Sequence, residues 1–211
     1  MSGAGVRAVL WDFGGVILTS PFDAFASYER DAHLPDGFIR GLNSTNPDGN
    51  AWARFERSEV TFDEFCRLFE AEAVAAGGTL DARKLMLGLR GEVRPAMVRA
   101  LSRIRDAGLL QALLTNNFVG EDDPGMGALH DVVSIFDAVV ESSRVGVRKP
   151  DVRFYELACS LLDVAPDECV FLDDLGVNLK PARAMGMRTI KVVDPSVALG
   201  ELSAVLGFAL D

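Results

Sequence analysis

The stretch Ala8-Val9-Leu10-Trp11-Asp12-Phe13-Gly14-Gly15-Val16-Ile17-Leu18 decides how the rest of the chain is read. Val9 to Trp11 is a short continuous apolar run, the pattern of a strand buried on both faces rather than the alternation of a half-exposed one. The run stops at one carboxylate, Asp12, and a Gly-Gly pair comes at once after it. Glycines there permit a sharp turn and the close approach of a ligand to the backbone. Asp12 is therefore expected at the carboxyl end of a central parallel strand, where open α/β sheets place their ligands. Taken alone, the stretch reads equally as a strand ending in a turn with a solvated Asp, so the later strand ends must decide between the two.

The 211 residues suit one large domain, or one domain with a sizeable insertion. A composition of 49% hydrophobic and 25% charged residues is that of an ordinary globular protein. The net charge of −10 argues against general binding to nucleic acid or acidic membranes, which needs a positive field. It leaves an anionic substrate open, because one Lys and a bound cation reverse the sign locally. Cys66, Cys159 and Cys169 are widely spaced among apolar residues and form no CxxC, which points to buried thiols rather than to disulfides or a zinc site. His33 and His130, the only histidines, have no neighbours at ligand spacing. Asp12 breaks the one apolar segment near the amino terminus, and no run approaches the ~18 apolar residues of a membrane span. The expectation is a cytoplasmic protein, monomer or homodimer, with no nucleic-acid or membrane partner.

After Leu18 the character changes. From Pro21 to about Arg94 no buried-strand pattern appears. Pro21 to Arg30 suits a short helix, His33 to Gly49 a loop with a short helix, and Ala51 to Arg57 another helix. Thr61 and Glu64 have the spacing of a capping box, and Phe62, Phe65, Cys66, Phe69 and Ala73 recur at helical spacing until Gly77-Gly78. Residues 20–94 are expected to form an all-helical insertion, leaving 1–19 and 95–211 as the core. In that core helix and strand alternate. Strands are expected at Leu109–Leu114, Phe136–Val140, Val170–Leu172 and Arg188–Val193, with helices at Pro95–Ala107, Val152–Leu162, Asn178–Met185 and Ser196–Leu206. Such alternation implies an α/β, Rossmann-like, doubly wound parallel sheet.

Polar residues stand at three strand ends in turn: Asp12, then Thr115-Asn116, then Asp173-Asp174, with Lys149 on a loop between them. In a doubly wound sheet these ends gather around one crevice. Carboxylates so close repel one another and favour sharing a divalent cation. With a hydroxyl, an amide and a Lys beside them they compose a phosphoryl-transfer site, where positioning and charge stabilisation supply most of the catalysis. An Asp nucleophile is an established covalent route in such chemistry.

At these residues the chain resembles the haloacid dehalogenase superfamily. The segments that carry the resemblance are Asp12-Phe13-Gly14-Gly15-Val16, Leu114-Thr115-Asn116-Asn117, Arg148-Lys149-Pro150-Asp151 and Phe171-Leu172-Asp173-Asp174-Leu175-Gly176-Val177-Asn178-Leu179-Lys180. Each is weak alone; together and in order they are specific. Within the superfamily the last of these segments, running on through Met187, is most similar to the amino-terminal phosphatase-like domain of soluble epoxide hydrolase, and the glycine form of the first, with the ending Ile190-Lys191-Val192 to Leu206-Gly207-Phe208, to that of acyl-CoA dehydrogenase family member 10. The resemblance implies a phosphatase acting on a small phosphorylated metabolite, with Mg²⁺ as cofactor. By it Asp12 is the nucleophile and a metal ligand, and Thr115 and Asn116 hold the phosphoryl oxygens. Lys149 neutralises charge, Asp174 binds Mg²⁺ directly and Asp173 directly or through water, Gly14 offers the metal its carbonyl, and Gly15 and Asn178 support the loops. The helical insertion becomes a cap that closes over the site and selects the substrate.

One position departs from the pattern. Typical phosphatases of the superfamily carry a second Asp two residues after the nucleophile, as acid and base; here that residue is Gly14. General acid–base help of this kind is worth roughly 10²–10⁴-fold. The resemblance therefore implies an intact metal and phosphate site with reduced turnover, least reduced for good leaving groups. Two other readings stay open: a non-catalytic phosphate- or metal-binding regulatory domain, and a 2-haloacid dehalogenase, which uses the same nucleophile without metal. Glu121, Asp122 and Asp123 read as a solvated acidic loop or as a replacement acid. Arg148 reads as a phosphate contact or a surface charge, Lys180 and Arg183 as surface charges, and Trp52, Phe55, Phe62, Phe65 and Phe69 as the core of the insertion.

Overall fold

A computed structural model of the chain describes residues 5–89, 91–118 and 129–210. The sheet has five parallel strands, β1 (Ala8–Trp11), β2 (Leu110–Thr115), β3 (Ala138–Glu141), β4 (Cys169–Asp173) and β5 (Arg188–Lys191), of which the edge strand β5 buries only Ile190. Their order is β3-β2-β1-β4-β5, so the strand that ends at Asp12 is central. Trp11 pairs with Leu113 on one side and Leu172 on the other, and the Asp12 amide donates to the Leu172 carbonyl at 2.9 Å. That register brings Asp12, Thr115 and Asp173 out on the same edge of the sheet.

Both faces of the sheet are covered, which explains the unbroken apolar runs. Val9 and Trp11 pack with α6 (Pro95–Asp106) and α11 (Pro195–Leu206); Ala8 and Leu10 pack with α9 (Val152–Leu162) and α10 (Gly176–Ala184). The Trp11 indole donates to Gln111 Oε1 at 3.2 Å, and Gln111 Nε2 donates to the Leu101 carbonyl at 2.9 Å, so one buried amide ties β1, β2 and α6 together. Two short helices, α7 (His130–Val133) and α8 (Ser142–Val145), flank β3. β3 begins later than the sequence suggests. The Phe136 amide bonds back to Val133 at the end of α7, and pairing with β2 starts only at Asp137, whose amide donates to the Gln111 carbonyl at 2.9 Å.

Between β1 and α6 lie α1 (Pro21–Asp31), α2 (Phe38–Ser44), α3 (Ala51–Glu56), α4 (Phe62–Ala75) and α5 (Ala82–Leu87). They enclose a separate apolar cluster that includes Phe25, Ile39, Phe55, Phe65, Phe69 and Leu85, against which Trp52 packs. Trp52 meets Phe25 and Phe65 edge-on, at centroid distances of 5.6 and 5.7 Å. The capping box of α4 is present: Glu64 N donates to Thr61 Oγ1 at 3.2 Å, and Thr61 N to Glu64 Oε2 at 2.9 Å. Helix α5 has no counterpart among the elements expected from sequence; it starts at Asp81, whose carboxylate accepts from Lys84 N at 2.9 Å.

The chain leaves the sheet and returns to it at one place. Leu18 and Val93 form an antiparallel bridge, the Thr19 amide donates to the Glu92 carbonyl at 2.9 Å, and the Arg94 amide to the Ile17 carbonyl at 2.9 Å. No helix among the described residues is long and apolar enough to cross a membrane.

Candidate active site

Asp12 comes directly after β1, and its Oδ1 accepts from the Phe13 amide at 2.7 Å and from Lys149 Nζ at 2.6 Å. Both contacts fall on Oδ1, so Oδ2 is the oxygen left to meet an electrophile. The same Lys149 Nζ donates to Asp173 Oδ2 at 2.8 Å, and the lysine side chain is 1% exposed. Asp173 closes β4 and is held on every side: Oδ1 accepts from the Leu175 amide at 2.8 Å, and Asn178 Nδ2 lies 3.1 and 3.0 Å from its two oxygens. Asn178 sits on α10, and its carbonyl accepts from the buried Tyr155 hydroxyl at 2.7 Å. One chain of contacts thus runs from Tyr155 through Asn178, Asp173 and Lys149 to Asp12.

Asp12, Asp173 and Asp174 each offer an oxygen within 4.8 Å of the others. Their electrostatics arise from crowding in a buried place. Burial first, and the Asp173 charge second, push the Asp12 carboxyl up to about 8 against the pull of Lys149. The same two causes push Asp174 up to about 6. Burial works against the Lys149 charge, but Asp12 and Asp173 outweigh it and hold the ammonium above its usual range. One lysine balances one of three carboxylates. A hard divalent cation suits such an all-oxygen donor set and supplies the missing positive charge, so the residues present fit Mg²⁺. With Asp173 committed to Lys149, Leu175 and Asn178, Asp12 and Asp174 are the carboxylates best able to reach it.

The other expected residues fall around this cluster. Gly14 has an ordinary extended backbone, φ −68° and ψ 130°, whereas Gly15 is left-handed at φ +80°. A Cβ on Gly15 would overlap the Asp174 carboxylate. Thr115 is the buried last residue of β2. The Asn116 side chain pairs with the main chain of Lys149: Lys149 N donates to Asn116 Oδ1 at 2.9 Å, and Asn116 Nδ2 to the Lys149 carbonyl at 3.0 Å. Its side-chain amide fixes the lysine main chain. Cys66, Cys159 and Cys169 are buried and free. Lys180 is exposed, and Arg183 bonds to Thr189 Oγ1 at 3.0 and 2.7 Å. Glu121, Asp122 and Asp123 lie outside the described residues.

Two contacts leave no trace in the sequence. Arg94, at the start of α6, sends Nη1 back to the carbonyls of Gly15 at 2.7 Å and Val16 at 3.3 Å, bracing the turn after Asp12. Arg148 stands outside the carboxylate cluster, and its side chain is 21% exposed. It turns to the helical insertion, where its Nε lies 2.6 Å from Glu56 Oε2. The apolar stop before Asp12, the glycines after it and the Lys-Pro pair are visible signals; a long side chain reaching across the fold leaves none.

Comparison with known proteins agrees with this geometry. Residues 6–186 match the family model described as haloacid dehalogenase-like hydrolase. The chain is 38% identical to acyl-CoA dehydrogenase family member 10 of Mus musculus over 99% of its own length and 20% of that protein's. It is 32% identical to bifunctional epoxide hydrolase 2 of Sus scrofa, over 97% of the chain and 40% of the relative. The chain therefore spans less than half of either. Sesquiterpene phosphatase astK of Aspergillus oryzae is 27% identical over 95% of the chain and 97% of its own length. Among solved structures, a HAD-like family hydrolase from Porphyromonas gingivalis superposes with a TM-score of 0.70 at 19% identity, covering 96% of this chain and 98% of that one. A HAD family enzyme from Bacteroides thetaiotaomicron, in complex with magnesium and inorganic phosphate, superposes with a TM-score of 0.62 at 16% identity, covering 89% and 94%. The strand-end carboxylates, the buried lysine, the sheet order and the family match agree: this chain belongs to the haloacid dehalogenase-like hydrolases.

Proposed function

We propose that the chain is a Mg²⁺-dependent phosphatase acting on a small organic phosphate through an aspartyl-phosphate on Asp12. The observation that carries this reading is the Lys149 ammonium clamped between Asp12 at 2.6 Å and Asp173 at 2.8 Å, with Asp174 in the same cluster. Asp12 Oδ2 attacks phosphorus, the bond from phosphorus to the leaving alcohol oxygen breaks, and water later attacks the aspartyl-phosphate to release inorganic phosphate and restore Asp12. Lys149 pulls Asp12 toward its ionised form and orients it, a bound Mg²⁺ would complete the ionisation, and the Thr115 hydroxyl donates to the phosphoryl oxygens. Asp173 and Asn116 keep the lysine in place. Mg²⁺, held by Asp12, Asp174 and the Gly14 carbonyl, would neutralise the phosphoryl oxygens. The phosphatase named among the relatives and the neighbour crystallised with magnesium and phosphate support the same reading.

Gly14 favours a second reading, a phosphate- and metal-binding domain with little turnover, since no acid stands beside the leaving group at that position. Dehalogenation fits less well, because three clustered carboxylates suit a cation that such chemistry does not use. The test is hydrolysis of an activated aryl phosphate with Mg²⁺ and with chelator, in wild type and Asp12→Asn. Mg²⁺-dependent turnover that Asp12→Asn abolishes is the expected result. Turnover unchanged in Asp12→Asn overturns the mechanism, and phosphate binding without turnover favours the second reading.

A further inference from the structure

Residues 148 and 149 are neighbours that face opposite ways. Lys149 points into the site and is held there by Asp12, Asp173 and the Asn116 amide. Arg148 points into the helical insertion. Its Nη1 donates to the Pro47 carbonyl at 2.9 Å, and its Nε lies 2.6 Å from Glu56 Oε2 on α3. Glu56 is itself fixed by the Trp52 indole, which donates to Oε1 at 2.9 Å. Its side chain is 9% exposed and that of Arg148 21%, so the pair meets little water. Two more contacts cross near it: Ser58 Oγ donates to the Ser143 carbonyl at 2.8 Å, and Phe118, three residues beyond Thr115, stacks on Phe55 at 5.1 Å.

We infer that Glu56 is a positioning residue for the reaction: by fixing Arg148, it makes the seating of the helical insertion set the placement of the adjacent Lys149. Three features support this. The tether acts on the residue next to the site lysine, so a shift of α3 is passed along one peptide unit. The Asn116 amide pins the Lys149 main chain from the opposite side, so the loop has two anchors and little freedom between them. Third, Arg148 Nε and Glu56 Oε2 are close but not aligned for a hydrogen bond, and neither atom has another partner among the described residues. Each of the two atoms therefore has only the other at contact distance, and a shift of α3 leaves both buried and unpaired. Electrostatics agree with the geometry. Burial pushes the Glu56 carboxyl up, Arg148 chiefly opposes it, and the Lys149 charge is also felt there.

The rate readout of this inference rests on the phosphatase reading; a binding readout does not. In the full chain, Glu56→Gln, Arg148→Gln and the double variant are compared with wild type, each well below its unfolding midpoint. Mg²⁺-dependent hydrolysis of an aryl phosphate gives kcat and KM. Tryptophan emission on adding inorganic phosphate with Mg²⁺, read in a Trp11→Phe background because Trp11 adjoins Asp12, reports the seating of Trp52 against Glu56. Each single variant is expected to lower kcat about 10- to 100-fold, the cost of a small misplacement, with KM moving less. The double variant is expected to lose no more than the worse single one, and the phosphate-induced emission change to disappear in all three. Lower midpoints with unchanged kcat, or losses that multiply in the double variant, overturn the inference. If wild type hydrolyses nothing, the phosphatase reading fails by itself and emission decides. A phosphate response lost in the variants then supports the tether; a response that persists in them, or is missing in wild type, overturns it. Where a Gln variant does not fold, Glu56→Asp and Arg148→Lys keep both charges and carry the same comparison, with kcat lowered if placement matters and unchanged if it does not.

Discussion

The Cβ that Gly15 lacks is the space the Asp174 carboxylate fills. Gly15 also sits at φ +80°, so the residue answers two demands at once, a left-handed turn and the close approach of a carboxylate. Its neighbour answers neither. Gly14 has φ −68°, and a Cβ there would meet only Pro21, at 3.7 Å from Cδ. The two glycines of the first motif are therefore unequal, and Gly14 is glycine for no reason the backbone imposes.

Substitution separates them. Gly15→Ala is expected to cost more than about 1 kcal/mol of stability, because alanine resists that conformation and displaces Asp174, whereas Gly14→Ala stays within about 1 kcal/mol of wild type on the stabilising side. Thermal unfolding of the two variants checks this, and equal effects contradict it.

Since the backbone at Gly14 accepts a side chain, Gly14→Asp tests whether a missing acid limits turnover. Hydrolysis of an alkyl phosphate, whose leaving oxygen needs a proton, is expected to rise by roughly 10²–10⁴-fold, and that of an activated aryl phosphate by less. Equal effects on the two substrates would assign the gain to something other than proton transfer.

The crowded carboxylates predict a pH dependence of stability. Burial first, and Asp173 second, raise Asp12 to about 8 and Asp174 to about 6, from an ordinary 3.8 for each. The folded, metal-free protein then holds protons that the unfolded chain releases. The stability this contributes is complete below about pH 4 and is lost as pH rises through about 6 and 8. Mg²⁺ replaces those protons. In chelator, the unfolding midpoint of wild type is expected to fall with rising pH more steeply than that of Asp12→Asn. The midpoint gained on adding Mg²⁺ is expected to grow across the same window; a gain that shrinks with pH contradicts the assignment.

Asn178 touches both oxygens of Asp173 and no substrate position. Asn178→Ala is expected to weaken Mg²⁺ affinity about 10-fold, because it loosens Asp173, which holds Lys149 against the ligand Asp12. Titration of Mg²⁺ against the unfolding midpoint measures it without recourse to activity.

The strand ends were legible because an unbroken apolar run precedes each: Val9–Trp11 before Asp12, Ala112–Leu114 before Thr115, and Val170–Leu172 before Asp173. Sheet order and the gathering of these ends come from parallel winding. What stayed hidden depends on contacts between distant residues. Arg94 braces Gly15 from 79 positions away, while its local setting before Pro95 says only that a helix begins. Tyr155 sits on the apolar face of α9 and reads as core, yet its hydroxyl finds Asn178, 23 residues on. The charge of Arg148 was evident, but its buried partner Glu56 was not. Helix α5 has 6 residues and α8 has 4, too few for helical periodicity to show.

The bridge between Leu18 and Val93 has a consequence for how such a protein diversifies. Because the chain departs from β1 and comes back beside the same point, the register of the sheet is blind to everything between. The inserted helices carry their own apolar centre and hang on the sheet as a graft on a stock. Lengthening such an excursion costs little, about 0.6 kcal/mol for each doubling of a flexible loop. The graft can be traded for another of different size and lining, provided the replacement brings its own hold on Arg148 beside Lys149. The strand-end residues are inherited with the stock, and the contact at Arg148 must be made anew with each graft.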